Sequence, residues 1–376
     1  MKKKLRVGLI FGGRSGEHEV SLMSAQGVMR AIGKEKYKVV PIGITKEGRW
    51  LASGDPLKAL SSGTMAESNP ATLLAEPSRR GLMRLDEDKQ GRALTAVQVS
   101  QLDVVFPILH GPYGEDGTVQ GLLELADLPY VGAGVTASAV GMDKALFKDI
   151  MRAHGLPVAP GLVIKRRAWE RHPAETVARI EAEIGYDCFV KPANLGSSVG
   201  ISKVHSHAEL QAALDEAARY DRKLLVEVAI DAREIEISVL GNDEPIASVP
   251  GEIIPCNEFY DYAAKYLDGK SELLIPAPIP PETTELVRKL ALEAYLAIDC
   301  AGMARADFLL DRKTGQVYIN EVNTIPGFTP ISMYPKMWEA SGISYSELID
   351  RLIQLALERH ADKSRSATSY QTAEEE

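Results

Sequence analysis

Residues 305–323, with the sequence RADFLLDRKTGQVYINEVN, decide the fold of this chain. Two runs rich in apolar residues flank a polar turn, a pattern typical of a β-hairpin. Folding the runs about Thr314 places Asp307 opposite Glu321. Arg305 then lies opposite Asn323, and because side chains two residues apart on a strand share a face, all four groups project from the same face.

The facing carboxylates of this hairpin predict a cation site. Carboxylates directly across a strand pair repel each other, so positive charge is expected between them. Carboxylate and amide oxygens suit Mg²⁺, which takes one or two carboxylates and leaves its other positions to water and substrate phosphates. Arg305 beside them suits a further anion. The alternative is a solvated polar face, and a bulge in the turn would shift the pairing by one residue.

Length and charge narrow the class of protein. At 376 residues the chain is long enough for two or three domains with a sizeable core. The net charge of −9 argues against a general nucleic-acid or membrane-surface binder, because neither a phosphate backbone nor an anionic lipid attracts an acidic surface. A local basic pocket for a nucleotide is compatible with this charge.

Cysteine spacing and the N-terminal residues favour the cytoplasm. Cys188, Cys256 and Cys300 lie far apart and form no Cys-x-x-Cys pair, so they predict neither a disulfide framework nor a zinc site. Residues 1–11 superficially resemble a signal peptide, but the apolar run is short and no small-residue cleavage site follows it. No run approaches the ~20 apolar residues of a membrane helix. We expect neither secretion nor a membrane anchor.

The N-terminal segment predicts a strand, a glycine-rich loop and a helix at 5–11, 12–19 and 20–32. In open α/β sheets the ends of such strands bind ligands, although a glycine-rich turn of this kind is as often purely structural. Glu17 and Glu19 disfavour an anion in this loop and suit an ammonium group. Glu19 has the alternative role of interacting with the helix N-terminus.

Residues 102–109 are predicted to form another buried strand, and polar residues follow its end. His110 lies there, where a histidine acts as a general acid or base, orients a substrate or forms structural hydrogen bonds, and the sequence leaves these roles open. A strand is predicted at 39–44 and a helix at 118–126. Residues 45–101 lose periodicity, which predicts loops and short strands inserted into the first domain.

A new unit is predicted after residue 141. Its helices and strands are expected at 142–153, 174–184, 188–191, 208–218, 223–227 and 234–240. Lys191 precedes a loop rich in glycine and serine, whose amides and hydroxyls suit phosphates, whereas the alternative is a mobile surface hairpin. Glu227 suits the amino group of an adenine and Glu234 suits ribose hydroxyls, although carboxylates are common on surface strands.

The last third of the chain adds a tyrosine-rich connection, residues 259–266, more typical of an active-site loop than of a linker. Helices are predicted at 281–298 and 345–360, and the polar residues 361–376 are predicted to be disordered. The apolar stripe expected on the first of these helices comprises Leu286, Leu290, Ala294 and Ile298.

Several motifs along the chain belong together. They are GG at 12–13 with EHEVSL at 17–22, HGPYGEDG at 110–117, MDK at 142–144, KPANLGSSVG at 191–200, YDYAAKY at 260–266, RAD at 305–307 and EVNTIPG at 321–327. The set resembles that of the D-alanine:D-alanine ligases, a family of ATP-grasp enzymes. Residues 45–100 match least and resemble the longer form of the family.

The resemblance implies an α/β protein with an ATP-grasp fold. Two α+β domains would clamp ATP beside an N-terminal domain with an open parallel sheet. The implied units are an N-terminal substrate-binding domain at 1–141, a central ATP-grasp subdomain at 142–231, a C-terminal ATP-grasp subdomain with the metal site at 232–361 and a disordered tail at 362–376.

The resemblance also implies the chemistry. The carboxylate of one D-alanine would attack the γ-phosphoryl group of ATP, and the amine of a second D-alanine would displace phosphate from the acyl phosphate. Two Mg²⁺ or Mn²⁺ ions would be held by Asp307, Glu321 and Asn323. ATP would be bound by Lys144, Lys191, Ser197, Ser198, Glu227, Ala229, Ile230, Glu234 and Lys265.

Substrate and catalytic roles follow from the same resemblance. Arg305 and the amide near Gly327 would stabilise the oxyanion of the tetrahedral intermediate. Glu17 would bind the first ammonium group and connect through Ser197 to Tyr266, closing the loops over the site. Other substrate contacts are implied for His110, Ser332 and the amide of Met333.

Some positions depart from the family pattern, and alternatives stay open. Val228 stands where a lysine is frequent and His18 where an arginine is common. Tyr266 favours the dipeptide, since relatives that make D-alanyl-D-lactate are expected to lack it. The alternatives are a D-lactate or other carboxylate–amine ligase and a non-catalytic nucleotide-binding protein. The resemblance implies a cytoplasmic homodimer with no nucleic-acid or membrane partner.

Overall fold

The computed structural model describes residues 3–52, 54–63, 70–87, 94–254, 272–367 and 369. The tyrosine-rich connection, with Lys265 and Tyr266, lies outside the described residues. Within them, three β-sheets are flanked by helices. These helices are α1 His18–Ala31, α2 Pro56–Ser62, α3 Thr118–Leu125, α4 Val135–Met142, α5 Lys144–Ala153, α6 Arg166–Arg171, α7 Pro173–Glu183, α8 His207–Tyr220, α9 Pro281–Ala297, α10 Met333–Ala340 and α11 Tyr345–Lys363.

The first sheet has the strand order β6-β5-β4-β3-β2-β1-β7. Its strands are β1 Leu5–Gly12, β2 Tyr37–Ile44, β3 Trp50–Leu51, β4 Pro70–Leu73, β5 Gly81–Glu87, β6 Leu94–Gln101 and β7 Val104–Ile108. The central strand β1 pairs in parallel with β2 and β7. Its side chains alternate between two core clusters, since Leu9 and Phe11 join one cluster and Ile10 joins the other.

Four antiparallel strands, β3 to β6, extend this parallel part of the sheet. The sequence predicted loops and short strands here, which β3 and β4 confirm, whereas helix α2 and the longer strands β5 and β6 were not predicted. Residues 95–99 of β6 are all exposed, so the alternation of Val97, Gln98, Val99 and Ser100 does not mark a buried face of the sheet.

The second sheet is antiparallel, with the order β10-β9-β11-β8. Its strands are β8 Gly161–Lys165, β9 Cys188–Pro192, β10 Ser202–Val204 and β11 Lys223–Val228. Buried side chains of α7 and α8 pack on one face of this sheet in a single cluster. The other face, with Lys191 and Glu227, is left to line a cavity.

The third sheet has the order β15-β14-β12-β16-β17, with β13 paired to β12. Its strands are β12 Ala232–Gly241, β13 Ile246–Ala247, β14 Gly251–Ile254, β15 Glu272–Leu274, β16 Gly302–Asp311 and β17 Val317–Asn323. Helix α9 packs on the sheet through Leu290 and Ala294, as predicted. Leu286, also predicted for this stripe, is 44% exposed, and Val287 takes the buried position.

The opening hairpin is confirmed as β16 and β17, with Arg305 paired to Asn323 and Asp307 paired to Glu321. Nearer the turn the pairing differs by one residue, so Phe308 lies opposite Ile319. Asn320 is the extra residue of a β-bulge between these two registers. The bulge restores the predicted pairing at the end of the hairpin that carries the polar cluster.

Helix α11 joins the end of the chain to the first sheet. Its apolar face shares a core cluster with β1 and β7, and Arg359 donates to the backbone carbonyls of Tyr130 and Gly132. The helix runs to Lys363, which pairs with Glu124, so it enters the tail predicted to be disordered. Within the described ranges no helix is long and apolar enough to cross a bilayer. The predicted domain boundaries stay predictions.

Candidate active site

A cavity of about 840 Å³ opens between the second and third sheets, within the usual range for small-molecule sites. Its wall brings together distant parts of the chain: the start of α5, the ends of β9 and β11, the glycine–serine loop and the hairpin. The predicted nucleotide and metal residues on this wall are Lys144, Lys191, Ser197, Ser198, Glu227, Ala229, Ile230, Glu234, Asp307 and Glu321.

The hairpin supplies an arginine and a carboxylate held face to face. The Arg305 guanidinium donates through Nε and Nη2 to the two oxygens of Asp307, both at 2.7 Å. Asn323 Nδ2 donates to Asp307 Oδ2 at 2.9 Å. Such a bidentate pair orients both planar groups. The predicted one-face arrangement of these side chains is therefore confirmed.

Glu236 on β12 completes a row of carboxylates that the sequence analysis missed. It lies opposite Asp307, which lies opposite Glu321, so three adjacent strands each contribute one carboxylate. Glu236 Oε2 lies 3.1 Å from Arg305 Nε and its side chain is buried. Burial disfavours the charged guanidinium, but Asp307 and Glu236 outweigh this and raise the pKa of Arg305.

Lys144 begins helix α5 and faces the hairpin. Its Nζ donates to the Leu195 carbonyl at 2.8 Å and lies 3.1 Å from Glu321 Oε2. Burial by itself lowers the pKa of Lys144, yet the attraction of Glu321 outweighs burial and the pKa is raised. The ammonium group therefore stays charged at the point where the glycine–serine loop meets the hairpin.

Glu227 lines the cavity and forms ion pairs with two lysines. Its carboxylate pairs with Lys148 and, at 2.8 Å, with Lys191. Burial raises the pKa of the Glu227 carboxyl, but the two ammonium groups prevail and lower it to about 2. The predicted contact of Glu227 with an adenine amino group stays a prediction.

Lys148 is a site residue that the sequence analysis did not single out. Only 1% of its side chain is exposed, and burial lowers its pKa despite the neighbouring Glu227. The signal was available in the sequence, because Lys148 lies one helical turn after Lys144 and so projects from the same face of α5.

Glu17 and Ser197 connect the first glycine-rich loop to the glycine–serine loop. The Ser197 hydroxyl donates to Glu17 Oε1. Ser197 and Ser198 have positive φ angles of 50° and 58°, which are uncommon for residues with a side chain and cluster at functional sites. The predicted Glu17–Ser197 contact is present, whereas its continuation to Tyr266 lies outside the described residues.

His110 is buried between the first sheet and the segment after the hairpin. Its Nδ1 lies 3.0 Å from the Ile325 carbonyl and its Nε2 lies 3.3 Å from Ser24 Oγ. A carbonyl only accepts, so Nδ1 carries the proton and Nε2 accepts from the serine. Burial lowers the pKa of His110 and favours this neutral form. The contacts are structural, and the substrate role of His110 stays a prediction.

Glu115 makes a second bridge to the same segment. Its carboxylate accepts from the amides of Gly111, at 2.8 Å, and Ile325, at 3.3 Å. Burial, together with the nearby charge of Glu17, raises the pKa of Glu115 to about 8. Glu115 lies within the HGPYGEDG motif but was not given a role there.

The segment after the hairpin leads to the start of α10. Thr329 donates its amide to Ser332 Oγ at 3.1 Å, and a side chain at Gly327 would approach the same oxygen at 3.0 Å. Met333 is the first residue of the helix, so its amide lies at the positive end of the helix dipole. Ser332 and Met333 are therefore suitably placed for a carboxylate.

The donor set fits a hard divalent cation. Asp307 and Glu321 offer carboxylate oxygens and Asn323 an amide oxygen, the chemistry that Mg²⁺ and Mn²⁺ prefer. Among the described residues no three His, Cys, Asp or Glu side chains cluster closely enough to hold a metal by themselves. Such a site relies on water and substrate phosphates for its other ligands.

The two residues that depart from the family pattern, His18 and Val228, both form hydrogen bonds with backbone carbonyls. His18 is buried, with Nδ1 2.9 Å from the Gly13 carbonyl, so it holds the glycine-rich loop. Val228 donates its amide to the Pro160 carbonyl at 3.1 Å, and the neighbouring Ala229 and Ile230 line the cavity.

Two family models match the chain, described as D-ala D-ala ligase N-terminus over residues 6–133 and D-ala D-ala ligase C-terminus over residues 150–354. The chain belongs to the D-alanine–D-alanine ligase family. It is 56% identical over 367 residues to the D-alanine–D-alanine ligase of Thermoanaerobacter sp. strain X514, an alignment that covers 97% of this chain and 99% of that relative.

Two solved structures of similar ligases show the same architecture. The D-alanine-D-alanine ligase from Coxiella burnetii superimposes with a TM-score of 0.80 at 37% identity, covering 96% of both chains. The VanG D-Ala:D-Ser ligase from Enterococcus faecalis superimposes with a TM-score of 0.83 at 36% identity, covering 94% of this chain and 100% of that chain. The predicted ATP-grasp fold is confirmed.

Proposed function

We propose that this chain joins two D-alanines into D-alanyl-D-alanine, with conversion of ATP to ADP and phosphate, for peptidoglycan precursor synthesis in the cytoplasm. One observation carries the proposal. In a member of the D-alanine–D-alanine ligase family, Lys144 and Lys191 line the same cavity as the facing carboxylates of Asp307 and Glu321. A polyphosphate with its metal ions needs this combination of charges.

In the first step, a carboxylate oxygen of the first D-alanine bonds to the γ-phosphorus of ATP while the bond from that phosphorus to the β–γ bridging oxygen breaks. ADP leaves and an acyl phosphate remains. We assign Lys144 and Lys191 to the phosphate oxygens, because both side chains line the cavity, Lys144 beside Glu321 of the hairpin and Lys191 beside Glu227. Their charge stabilises the phosphoryl group during transfer.

Asp307, Glu321 and Asn323 would hold two Mg²⁺ or Mn²⁺ ions. When bound, these ions neutralise the phosphate charge. The adenosine is assigned to Glu227, Glu234 and the backbone of residues 229–230, with Ser197, Ser198 and Lys265 at the phosphates. Ala229 and Ile230 follow the end of β11, Glu234 lies near the start of β12, and all three residues line the cavity.

In the second step, the amine of the second D-alanine attacks the acyl carbon and loses a proton, and the carbon–oxygen bond to phosphate breaks. Arg305 and the Gly327 amide are assigned to the oxyanion that develops on the acyl oxygen. Ser332 and the Met333 amide are assigned to the carboxylate of the second D-alanine, because the helix N-terminus favours an anion.

Glu17 is assigned to the ammonium group of the first D-alanine, with His110 beside it. The Ser197–Glu17 hydrogen bond supports this assignment, since it joins two loops at the cavity and Tyr266 would extend the connection. Closed loops exclude water, which otherwise hydrolyses the acyl phosphate. We further propose that the enzyme acts as a homodimer.

The proposal is tested by ADP release from ATP and Mg²⁺ with D-alanine, with L-alanine, and with D-alanine plus D-lactate or D-serine. The masses of the products identify the second substrate. We expect release that depends on D-alanine and yields the dipeptide as the main product. If mixed incubations yield mainly the D-lactate or D-serine product, the assignment of the second substrate is wrong. No D-alanine-dependent release from folded, metal-supplied protein refutes the ligase assignment.

A further inference from the structure

Two carboxylates, those of Asp307 and Glu236, contact the Arg305 guanidinium. Only Asp307 is also assigned to the metal ions. Asp307 takes both Nε and Nη2 of the guanidinium at 2.7 Å, and Glu236 Oε2 lies 3.1 Å from Nε. The Glu236 side chain is 6% exposed and lines the same cavity. Both carboxylates therefore share one cation.

The proposed function, on which this inference rests, places a competing demand on Asp307. A carboxylate that shares its oxygens with a divalent cation attracts a guanidinium less, because the cation neutralises its charge. Arg305 must nevertheless stay aimed at the reacting carbonyl for the second step. Glu236 lies on the neighbouring strand, directly opposite Asp307, and is not among the assigned metal ligands.

We infer that Glu236 is a positioning residue whose carboxylate holds the Arg305 guanidinium at the oxyanion position while Asp307 binds the metal ion. Glu236 approaches the Nε edge, so it can keep the side chain in place when Asp307 turns to the cation. The Nη atoms then become available to an oxyanion. Glu236 thereby acts on the reaction through Arg305.

A matched control exists in the same sheet. Glu252 on β14 is also a buried carboxylate and accepts from Arg233 at 2.7 and 2.6 Å. Arg233 lies three residues before Glu236 on β12, and strand alternation turns it to the opposite face of the sheet. Glu252→Gln therefore removes an equivalent buried ion pair without changing the wall of the cavity.

The experiment compares Glu236→Gln, Glu252→Gln and wild type in three measurements: kcat and KM for ATP, the affinity for Mn²⁺ in the presence of ADP by electron paramagnetic resonance, and thermal unfolding. Residues that orient an active group typically change activity by about 10- to 100-fold. We expect Glu236→Gln to lower kcat at least about tenfold, with KM for ATP and Mn²⁺ affinity within about twofold of wild type. Glu252→Gln should lower the unfolding temperature and keep kcat.

A double-mutant cycle separates positioning from general structure. In an Arg305→Ala background, Glu236→Gln should change kcat by less than about twofold, because the group on which it acts is gone. The same loss of kcat in that background overturns the inference. It is also overturned by a Glu236→Gln enzyme with wild-type kcat, by a parallel fall in Mn²⁺ affinity, which would make Glu236 a metal ligand, or by an equal loss in Glu252→Gln.

Glu236→Asp keeps the experiment decisive if Glu236→Gln does not fold. Aspartate retains the negative charge but is one methylene shorter, so its carboxylate lies farther from the Arg305 guanidinium. We expect kcat to fall about threefold to tenfold with unchanged Mn²⁺ affinity. An unchanged kcat overturns the inference. Inactive wild-type protein would instead refute the proposed function, and the inference with it.

Discussion

The Glu227→Gln substitution tests how the side chains of Lys148 and Lys191 are held beside the cavity. Glu227 is 2% exposed and pairs with both Lys148 and Lys191, of which Lys148 is 1% exposed. Glutamine keeps the shape of the side chain but removes the negative charge. The two neighbouring ammonium groups then lack the carboxylate that both contact, and the one on Lys148 is fully buried.

The magnitude follows from the proton affinity of the carboxyl. Its pKa is lowered from 4.5 to about 2, and each tenfold change in proton affinity corresponds to about 1.4 kcal/mol, so the ionised group contributes about 3 kcal/mol. Removing one partner of a buried ion pair costs about 3–5 kcal/mol, in agreement. We expect Glu227→Gln to lower the free energy of unfolding by about 3 kcal/mol at pH 7.

The stability lost in Glu227→Gln should depend on pH, and it should become smaller as the pH falls. The pKa of the Glu227 carboxyl is lower in the folded than in the unfolded chain, so its contribution is present above pH ~4.5 and is lost as the pH falls towards ~2. The difference between wild type and variant should therefore be constant from about pH 6 to pH 8 and fall to roughly half or below at pH 3.

Urea unfolding followed by circular dichroism measures this difference. Adding Lys148→Met should recover about half of the loss, because it removes the fully buried ammonium group. The control is Glu183→Gln, which breaks the exposed Arg179–Glu183 pair and should cost at most about 0.5 kcal/mol. A Glu227→Gln loss below about 1 kcal/mol, or one that grows as the pH falls, would refute this account of the buried pair.

Three further predictions test the site and the loop that supports it. Asp307→Asn should lower ADP release at least about a hundredfold in protein that still folds, since it removes charge from the metal site; near-normal turnover contradicts this. Ser197→Ala should raise KM for D-alanine about tenfold by removing the hydrogen bond to Glu17, and an unchanged KM would show that the loop contact is dispensable. Gly12→Ala should cost about 2 kcal/mol or more in urea unfolding, because φ is +88° and the added carbon would lie 2.2 Å from the Ile44 carbonyl oxygen; a loss under about 0.5 kcal/mol contradicts it.

The hairpin was predictable because its polar residues alternate. Arg305, Asp307, Glu321 and Asn323 lie two apart on each strand, so one register places all four together. The bulge at Asn320 was not predictable in position, because alternation does not show which residue is left unpaired. Only the paired strands reveal that the register changes between the turn and the site.

Contacts between site residues on different helices and strands were harder to predict. Glu236 and Lys148 each share a face with a residue that the sequence analysis named, Glu234 and Lys144, so strand and helix periodicity contained a signal. Their partners depend on how α5, β11, β12 and β16 pack together, which spacing within one element does not reveal. In β6 the alternation of Val97, Gln98, Val99 and Ser100 was a strand signal, but it spans few residues and marks no buried face, since residues 95–99 are all exposed.

The transfer of oxygen from substrate to phosphate tests the central claim most directly. D-alanine labelled with ¹⁸O in its carboxylate would be incubated with ATP, Mg²⁺ and the protein, and the released phosphate and peptide analysed by mass spectrometry. Activation of the carboxylate by the γ-phosphoryl group predicts that one labelled oxygen of the first D-alanine leaves in each phosphate. The other labelled oxygen stays in the carbonyl group of the new peptide bond. Phosphate without label, released together with the dipeptide, would contradict the acyl phosphate mechanism.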